Sequence, residues 1–179
     1  MSDRIQWFDR KFNFGNLTGT IDNILERLKG TPIRLQSKIS QISSDLYIVN
    51  SGEAWSIQEN VGHLLDLEPL WLGRVEDMVE GEKILRPTDL KNAKTFDAQH
   101  NRKPMGELLA NFQQERTKLV VRVEQLSDRA EELQGNHPRL GTPMRLIDLA
   151  YFVAEHDDHH LARISQISKF LIQNQQSHQ

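Results

Sequence analysis

Leu146-Ile147-Asp148-Leu149-Ala150-Tyr151-Phe152-Val153-Ala154-Glu155-His156-Asp157-Asp158-His159-His160-Leu161-Ala162-Arg163-Ile164-Ser165-Gln166-Ile167-Ser168-Lys169-Phe170-Leu171 carries the clearest periodicity in this chain of 179 residues. Leu146, Leu149, Val153, His156, His160, Ile164, Ile167 and Leu171 recur at intervals of three and four, which is one face of a helix with about 3.6 residues per turn. The stripe predicts a long buried helix that runs to about residue 173. His156 and His160 stand in the middle of the stripe. Imidazoles four apart project side by side, about 5–6 Å between Cβ atoms, a spacing that suits joint ligation of one metal ion. A single histidine on an apolar face is ordinarily a core residue bonded to a carbonyl. Two in mid-stripe are harder to satisfy, because the helix backbone beside them is already bonded to itself. Each unpaired buried polar group costs about 1–3 kcal/mol. His159 lies about 60° off the stripe and reads as a rim residue. Asp157, on the other flank, is placed to orient an imidazole, and Asp158 points outward as a solvated charge.

Upstream, the pattern stays helical. Leu17, Ile21, Ile24, Leu25 and Leu28 predict a helix that stops at Gly30, and Thr31-Pro32 reads as the start of a new or kinked one carrying Ile33 to Ile42. Ser56-Ile57-Gln58-Glu59 fits a capping box for a helix reaching about Glu80, with Gly81 as its stop and Pro69 bending it. Residues 81–103 form a long, charged, aperiodic connection. Pro104 opens a further helix with Leu108, Leu109, Phe112, Leu119, Val120, Val123 and Leu126 on one side. Thr142-Pro143 reads as the opening of the last one. No stretch alternates with the period of a strand, so the expected fold is all-α, a four-helix bundle with a long connection between the second and third main helices. Residues 1–16 are expected as an N-terminal arm, 17–173 as the single domain, and 174–179 as a polar tail.

Composition narrows the chemistry. Net charge is −3, with 22 Lys and Arg against 25 Asp and Glu, which argues against nucleic acid as a partner. No apolar run reaches the roughly 18–20 residues that cross a bilayer, and the N-terminal decapeptide lacks a signal-peptide core. The expected compartment is the cytoplasm, with no membrane partner. With no cysteine, any metal site must use imidazole, carboxylate and water. A third ligand for His156 and His160 has three candidates by sequence: His63, on the edge of the capped helix, and His100 and His137 in loops. Glu59, one turn before His63, is the nearby carboxylate, although the capping box accounts for it.

Trp55-Ser56-Ile57-Gln58-Glu59-Asn60-Val61-Gly62-His63-Leu64, followed by Glu155-His156-Asp157-Asp158-His159-His160-Leu161-Ala162-Arg163-Ile164, resembles the DinB/YfiT-like family of small bacterial metal-binding four-helix bundles, over residues of about 17 to 170. The resemblance implies His63, His156 and His160 as a metal triad with water in the open positions. It also implies a function among thiol-dependent transferases and isomerases using bacillithiol or mycothiol, maleylpyruvate isomerase among them, in which the metal activates the thiol. The sequence departs from many members at Arg163, where they carry Gln before Ile.

Three neutral imidazoles leave a divalent ion its full charge, able to lower the pKa of bound water toward about 7 or to take up a thiolate. Zinc, nickel and iron all suit such a donor set. The expected function is therefore a metal-dependent enzyme of the thiol S-transferase, isomerase or hydrolase type, acting on a small molecule and able to pair as a homodimer. Arg139 with His137, and Lys91, Lys94, Arg102 and Lys103 in the long connection, are candidates to greet an anionic substrate. Two other readings compete. His156-Asp157-Asp158-His159-His160 differs from the zinc-peptidase H-E-x-x-H only by Asp for Glu. Alternatively, the metal merely closes the bundle of a non-catalytic interaction module.

Overall fold

Four amphipathic helices bury their apolar faces on one another: α1 (Ile21–Ile39), α2 (Ile57–Glu80), α4 (Met105–Gln125) and α5 (Leu146–Gln176). A five-residue helix, α3 (Ala93–Asp97), interrupts the connection from α2 to α4. This computed structural model describes residues 5–52 and 55–176. The first four residues of the expected arm and the last three of the expected tail lie outside the described residues. The fold is a four-helix bundle, as the periodicity indicates. Its neighbours are α1 with α4, α4 with α2, α2 with α5, and α5 with α1. The consecutive helices α1 and α2 thus lie across a diagonal, as do α4 and α5. None of the described helices is long and apolar enough to cross a membrane.

The start and stop chemistry of α2 follows the sequence. Ser56 Oγ accepts from the Glu59 N–H, the Glu59 carboxylate accepts from the Ser56 N–H at 2.8 Å, and Gly81 closes the helix at φ +78°. α1 differs from expectation: Gly30 and Thr31-Pro32 do not divide it, and one helix runs through Pro32. Proline removes the N–H that would bond the Leu28 carbonyl. That carbonyl instead accepts from Arg116 Nη1 of α4 at 3.4 Å, so a tertiary contact replaces the missing helix bond.

The start of the last helix also differs. Thr142-Pro143 does not open it. Gln134–Asn136 (β1) and Pro143–Arg145 (β2) pair as a short antiparallel hairpin, with Gln134 opposite Arg145 and Asn136 opposite Pro143. α5 begins at Leu146, and the Asp148 carboxylate accepts from the Arg145 N–H at 2.8 Å. Three-residue strands are too short to show alternation, so the sequence gives no sign of them. The far end of α5 runs through Gln176.

The core has two apolar compartments. One gathers Leu28, Trp71, Val75, Val123, Leu149 and Phe152; the other gathers Leu35, Val61, Leu64, Phe112, Ile164 and Ile167. Along every main helix the switch between them falls at a buried polar residue: Thr31, Glu68, Arg116 and Asp157. Arg116 is the hub of this layer. Its guanidinium donates to Glu68 Oε1 at 2.6 Å and Oε2 at 3.0 Å, and to both oxygens of Asp157. Thr31 Oγ1 donates to Asp157 at 2.9 Å. One cation serves two buried carboxylates, and burial pushes the Glu68 carboxyl up to about 7 despite it.

Candidate metal centre

His156 and His160 come from the same face of α5, one turn apart, and His63 faces them from α2. All three are at least 96% buried. Ring centroids lie 4.5 Å apart for His156 and His160, 4.8 Å for His63 and His160, and 5.4 Å for His63 and His156. One ring nitrogen from each lies within 4.8 Å of the others. Of the three candidate third ligands, the fold brings His63 to the pair.

Hydrogen bonds fix which nitrogen the His160 and His63 rings present. Asn60 Nδ2 donates to the Ser56 carbonyl at 2.7 Å, which leaves Asn60 Oδ1 as an acceptor. That oxygen meets His160 Nδ1 at 2.9 Å, so His160 carries its proton on Nδ1 and keeps a lone pair on Nε2. His63 Nδ1 meets the Thr95 hydroxyl at 3.0 Å. The Thr95 hydroxyl also lowers the Asp66 carboxyl, and a carboxylate beside it favours the arrangement in which the hydroxyl hydrogen turns to Asp66 and its oxygen accepts from His63, leaving the lone pair on Nε2. His156 Nδ1 is buried and has no hydrogen-bond partner among the described residues. Burial keeps the rings neutral: His63 is pushed down to about 4, and His156 and His160 well below the ordinary histidine value, with mutual repulsion adding to the effect. Lone pairs held at low proton affinity, together with one orphaned buried nitrogen, fit a divalent transition metal.

The other expected residues are placed as follows. His100 is not a ligand: its Nε2 bonds Asp66 at 2.8 Å, and its ring lies against Gly62, where a Cβ would stand 2.2 Å from it. His137 is not a ligand either; it sits in the hairpin loop, 3.1 Å from Arg74. Asp157 does not orient an imidazole, since Arg116 and Thr31 hold its carboxylate. The same bonds remove it as the base of a peptidase-like His156-Asp157-x-x-His160 site. Asp158 is not merely solvated: it pairs with Arg27 at 2.5 Å and Arg34 at 2.7 Å. Glu59 remains in its capping box, and His159 packs on the Trp7 ring at 5.5 Å.

The trio borders a cavity of about 220 Å³. The N-terminal arm (Trp7, Phe8), the 88–96 segment and the hairpin loop (His137, Arg139) wall it in, together with α2 and α5. All three tryptophans of the chain line it. Trp7 lies 5.0 Å from His156, and Trp55 lies 4.4 Å from His63. Among the described residues the cavity's cations are Arg74, Arg139 and Arg163; Lys91, Lys94, Arg102 and Lys103 do not line it. Lys94 donates to the Asp66 carbonyl at 2.8 Å instead. Sequence reasoning missed Asn60, Thr95 and Arg74. Asn60 sits three residues before His63, and Arg74 extends the series His63, Leu67, Trp71 along one helical face, so both left a spacing signal. Thr95 left none.

None of the curated protein sequences matches the chain. Among solved structures, one described as YfiT from Bacillus subtilis, "a probable metal-dependent hydrolase with an unusual four-helix bundle topology", aligns with a TM-score of 0.76 at 20% identity. It covers 90% of this chain and 93% of YfiT, and at that identity it establishes the shared fold. The family comparison reaches the sequence itself. Residues 17–164, from the threshold of α1 through the turn of α5 that follows His160, match the DinB superfamily, and the chain belongs to that superfamily.

Proposed function

We propose that this protein is a divalent-metal-dependent enzyme acting on a small molecule, with His63, His156 and His160 as the ligands it supplies. One observation carries the reading: three neutral imidazoles converge beside a cavity large enough for a guest. Structural zinc sites are saturated by four protein ligands, whereas catalytic sites keep a position open. The cluster found among the described residues has three members and borders space. A bound divalent ion there supplies a Lewis acid that activates water or a thiol.

The remaining work belongs to the chain. Asn60 and Thr95 hold the His160 and His63 rings in the tautomers that present Nε2. Trp55, Trp71, Phe152 and the Trp7 ring exclude bulk water and offer an apolar wall to the body of a substrate. Hydrolysis, suggested by the description of YfiT, and S-transfer from a low-molecular-weight thiol are the two reaction types this arrangement supports.

Elemental analysis of untagged protein is the test. Stoichiometric zinc, nickel or iron is expected, lost in His156→Ala and in His160→Ala and kept in His178→Ala. Unchanged metal content in the first two variants overturns the ligand set. Metal-loaded protein that turns over neither esters, amides nor thiol-electrophile pairs reduces the reading to a metal-stabilised interaction module.

A further inference from the structure

The wall of the cavity formed by α2 and the hairpin loop contains more hydrogen-bond donors than the described residues satisfy. Arg74 is 1% exposed; its Nε donates to the Arg86 carbonyl at 3.0 Å, its Nη1 faces His137 Nε2 at 3.1 Å, and its Nη2 is buried. Arg139 Nη2 is likewise buried, and neither nitrogen has a partner among the described residues. His137 adds to the excess. Its Nδ1 faces the Arg139 and Leu140 N–H groups, both at 3.2 Å, while its Nε2 faces Arg74. A neutral imidazole has one N–H, so whichever nitrogen holds it, a donor meets a donor there.

Nor do the described residues balance the charge. Among the described residues the nearby acid is Asp77, whose single charge acts on both Arg74 and Arg86 and whose hydrogen bonds go to Arg86, which donates from its backbone N–H at 2.8 Å, from Nε at 3.0 Å and from Nη2 at 2.6 Å. Gly73 makes that possible, since a Cβ there would stand 2.1 Å from Arg86 Nη1. Asp89 also lines the cavity, but its oxygens accept from the Lys91 and Ala93 N–H groups at 2.9 and 2.6 Å. Buried cations with unfilled N–H positions are costly unless an acceptor reaches them.

We propose that Arg74 and Arg139 form an oxyanion-binding subsite that takes the carboxylate or phosphate of a substrate whose apolar body lies along the aromatic wall toward the histidine trio. Planar guanidinium groups match both oxyanions in a way that a lysine would not. The inference rests on the reading of this cavity as the substrate site. It assigns the substrate class: small amphipathic anions with one charged end and one reactive end.

Because Trp7, Trp55 and Trp71 all line the cavity, intrinsic fluorescence reports occupancy directly. The probes are phenylacetate and phenyl phosphate, with neutral phenylacetamide as control, titrated into the protein as purified and after chelation. Saturable quenching by at least one anion is expected, at least tenfold tighter than by the amide. Arg139→Gln should weaken that anion at least tenfold, with partial recovery in Arg139→Lys and unchanged metal content, and chelation should change it less than threefold. Which anion binds tighter distinguishes a carboxylate from a phosphate subsite. Arg139 is half-buried on a loop, so its replacement avoids the folding risk of Arg74. Equal binding of amide and anion, or full binding by Arg139→Gln, overturns the subsite. Binding abolished by chelation yet indifferent to Arg139 assigns the anion to the metal, overturning this inference while leaving the metal reading intact.

Discussion

At the scale of single residues, Gly62 shows how a missing side chain builds a site. His100 fills the space a Cβ would occupy, and so reaches Asp66, whose carboxylate is lowered by Thr95, the hydroxyl that meets the His63 ring. Gly62→Ala is expected to destabilise the fold by about 1–3 kcal/mol through overpacking. By disturbing the partners behind a ligand, it should also weaken metal binding about 10–100-fold. Denaturant melts and a competitive metal titration read the two effects separately. His137 gives a pH signature. Burial first, then Arg74 and Arg139, push it down to about 3, against about 6.5 in the unfolded chain. The unfolded state therefore takes up the proton first. Stability associated with His137 is complete above pH 6.5 and is lost as pH falls through that window toward 3. With allowance for solvent at the cavity wall, the loss by pH 5 is about 1–2 kcal/mol. His137→Gln should flatten the pH dependence of unfolding free energy by that amount between pH 7 and 5, and an unchanged slope would contradict the burial argument.

At the scale of the helices, the polar layer sets the register of the bundle. Thr31, Glu68, Arg116 and Asp157 sit at the same height on four helices, so sliding α2, α4 or α5 by one turn would strand a buried charge, and sliding α1 would break the Thr31 bond to Asp157. Removing the cation alone, in Arg116→Ala, leaves two buried carboxylates unpaired and should cost about 3–5 kcal/mol. Replacing the set together, as Glu68→Leu, Arg116→Met and Asp157→Leu, should recover most of that loss. A triple variant no more stable than Arg116→Ala would mean that the layer contributes net stability as well as register. Arg116 also accepts a second task in bonding the carbonyl that Pro32 leaves free, which is why α1 continues where the sequence suggests a break.

At the scale of the whole molecule, a metal at the trio would tie α2 to α5, helices that adjoin in the bundle but not in the chain. Free metal at about 100 times Kd should add about 2.7 kcal/mol, a rise of about 5–10 °C in Tm that chelation reverses. Thermal melts with and without chelator test it, and no shift would argue against ligands on two helices. The arm closes the same region: Trp7 packs on His156, Phe152 and Phe12, and Arg10 pairs with Glu155 of α5. Trp7→Ala should speed metal loss to chelator severalfold while leaving stoichiometry intact.

Helical periodicity, the capping box at Ser56 and the mid-stripe pair His156 and His160 were legible because they are local: spacing along one helix fixes which side chains share a face. By that means the sequence by itself determined an all-α bundle and two of the three clustered histidines. The diagonal placement of consecutive helices, the unbroken α1, the three-residue hairpin strands and the pairing of Asp157 with Arg116 depend on what each segment meets across the core. Spacing carries no record of such partners. Spacing alone left His63, His100 and His137 open and the family resemblance pointed to His63; the tertiary structure supplies the physical reason, because three rings share one point only after α2 and α5 have packed side by side.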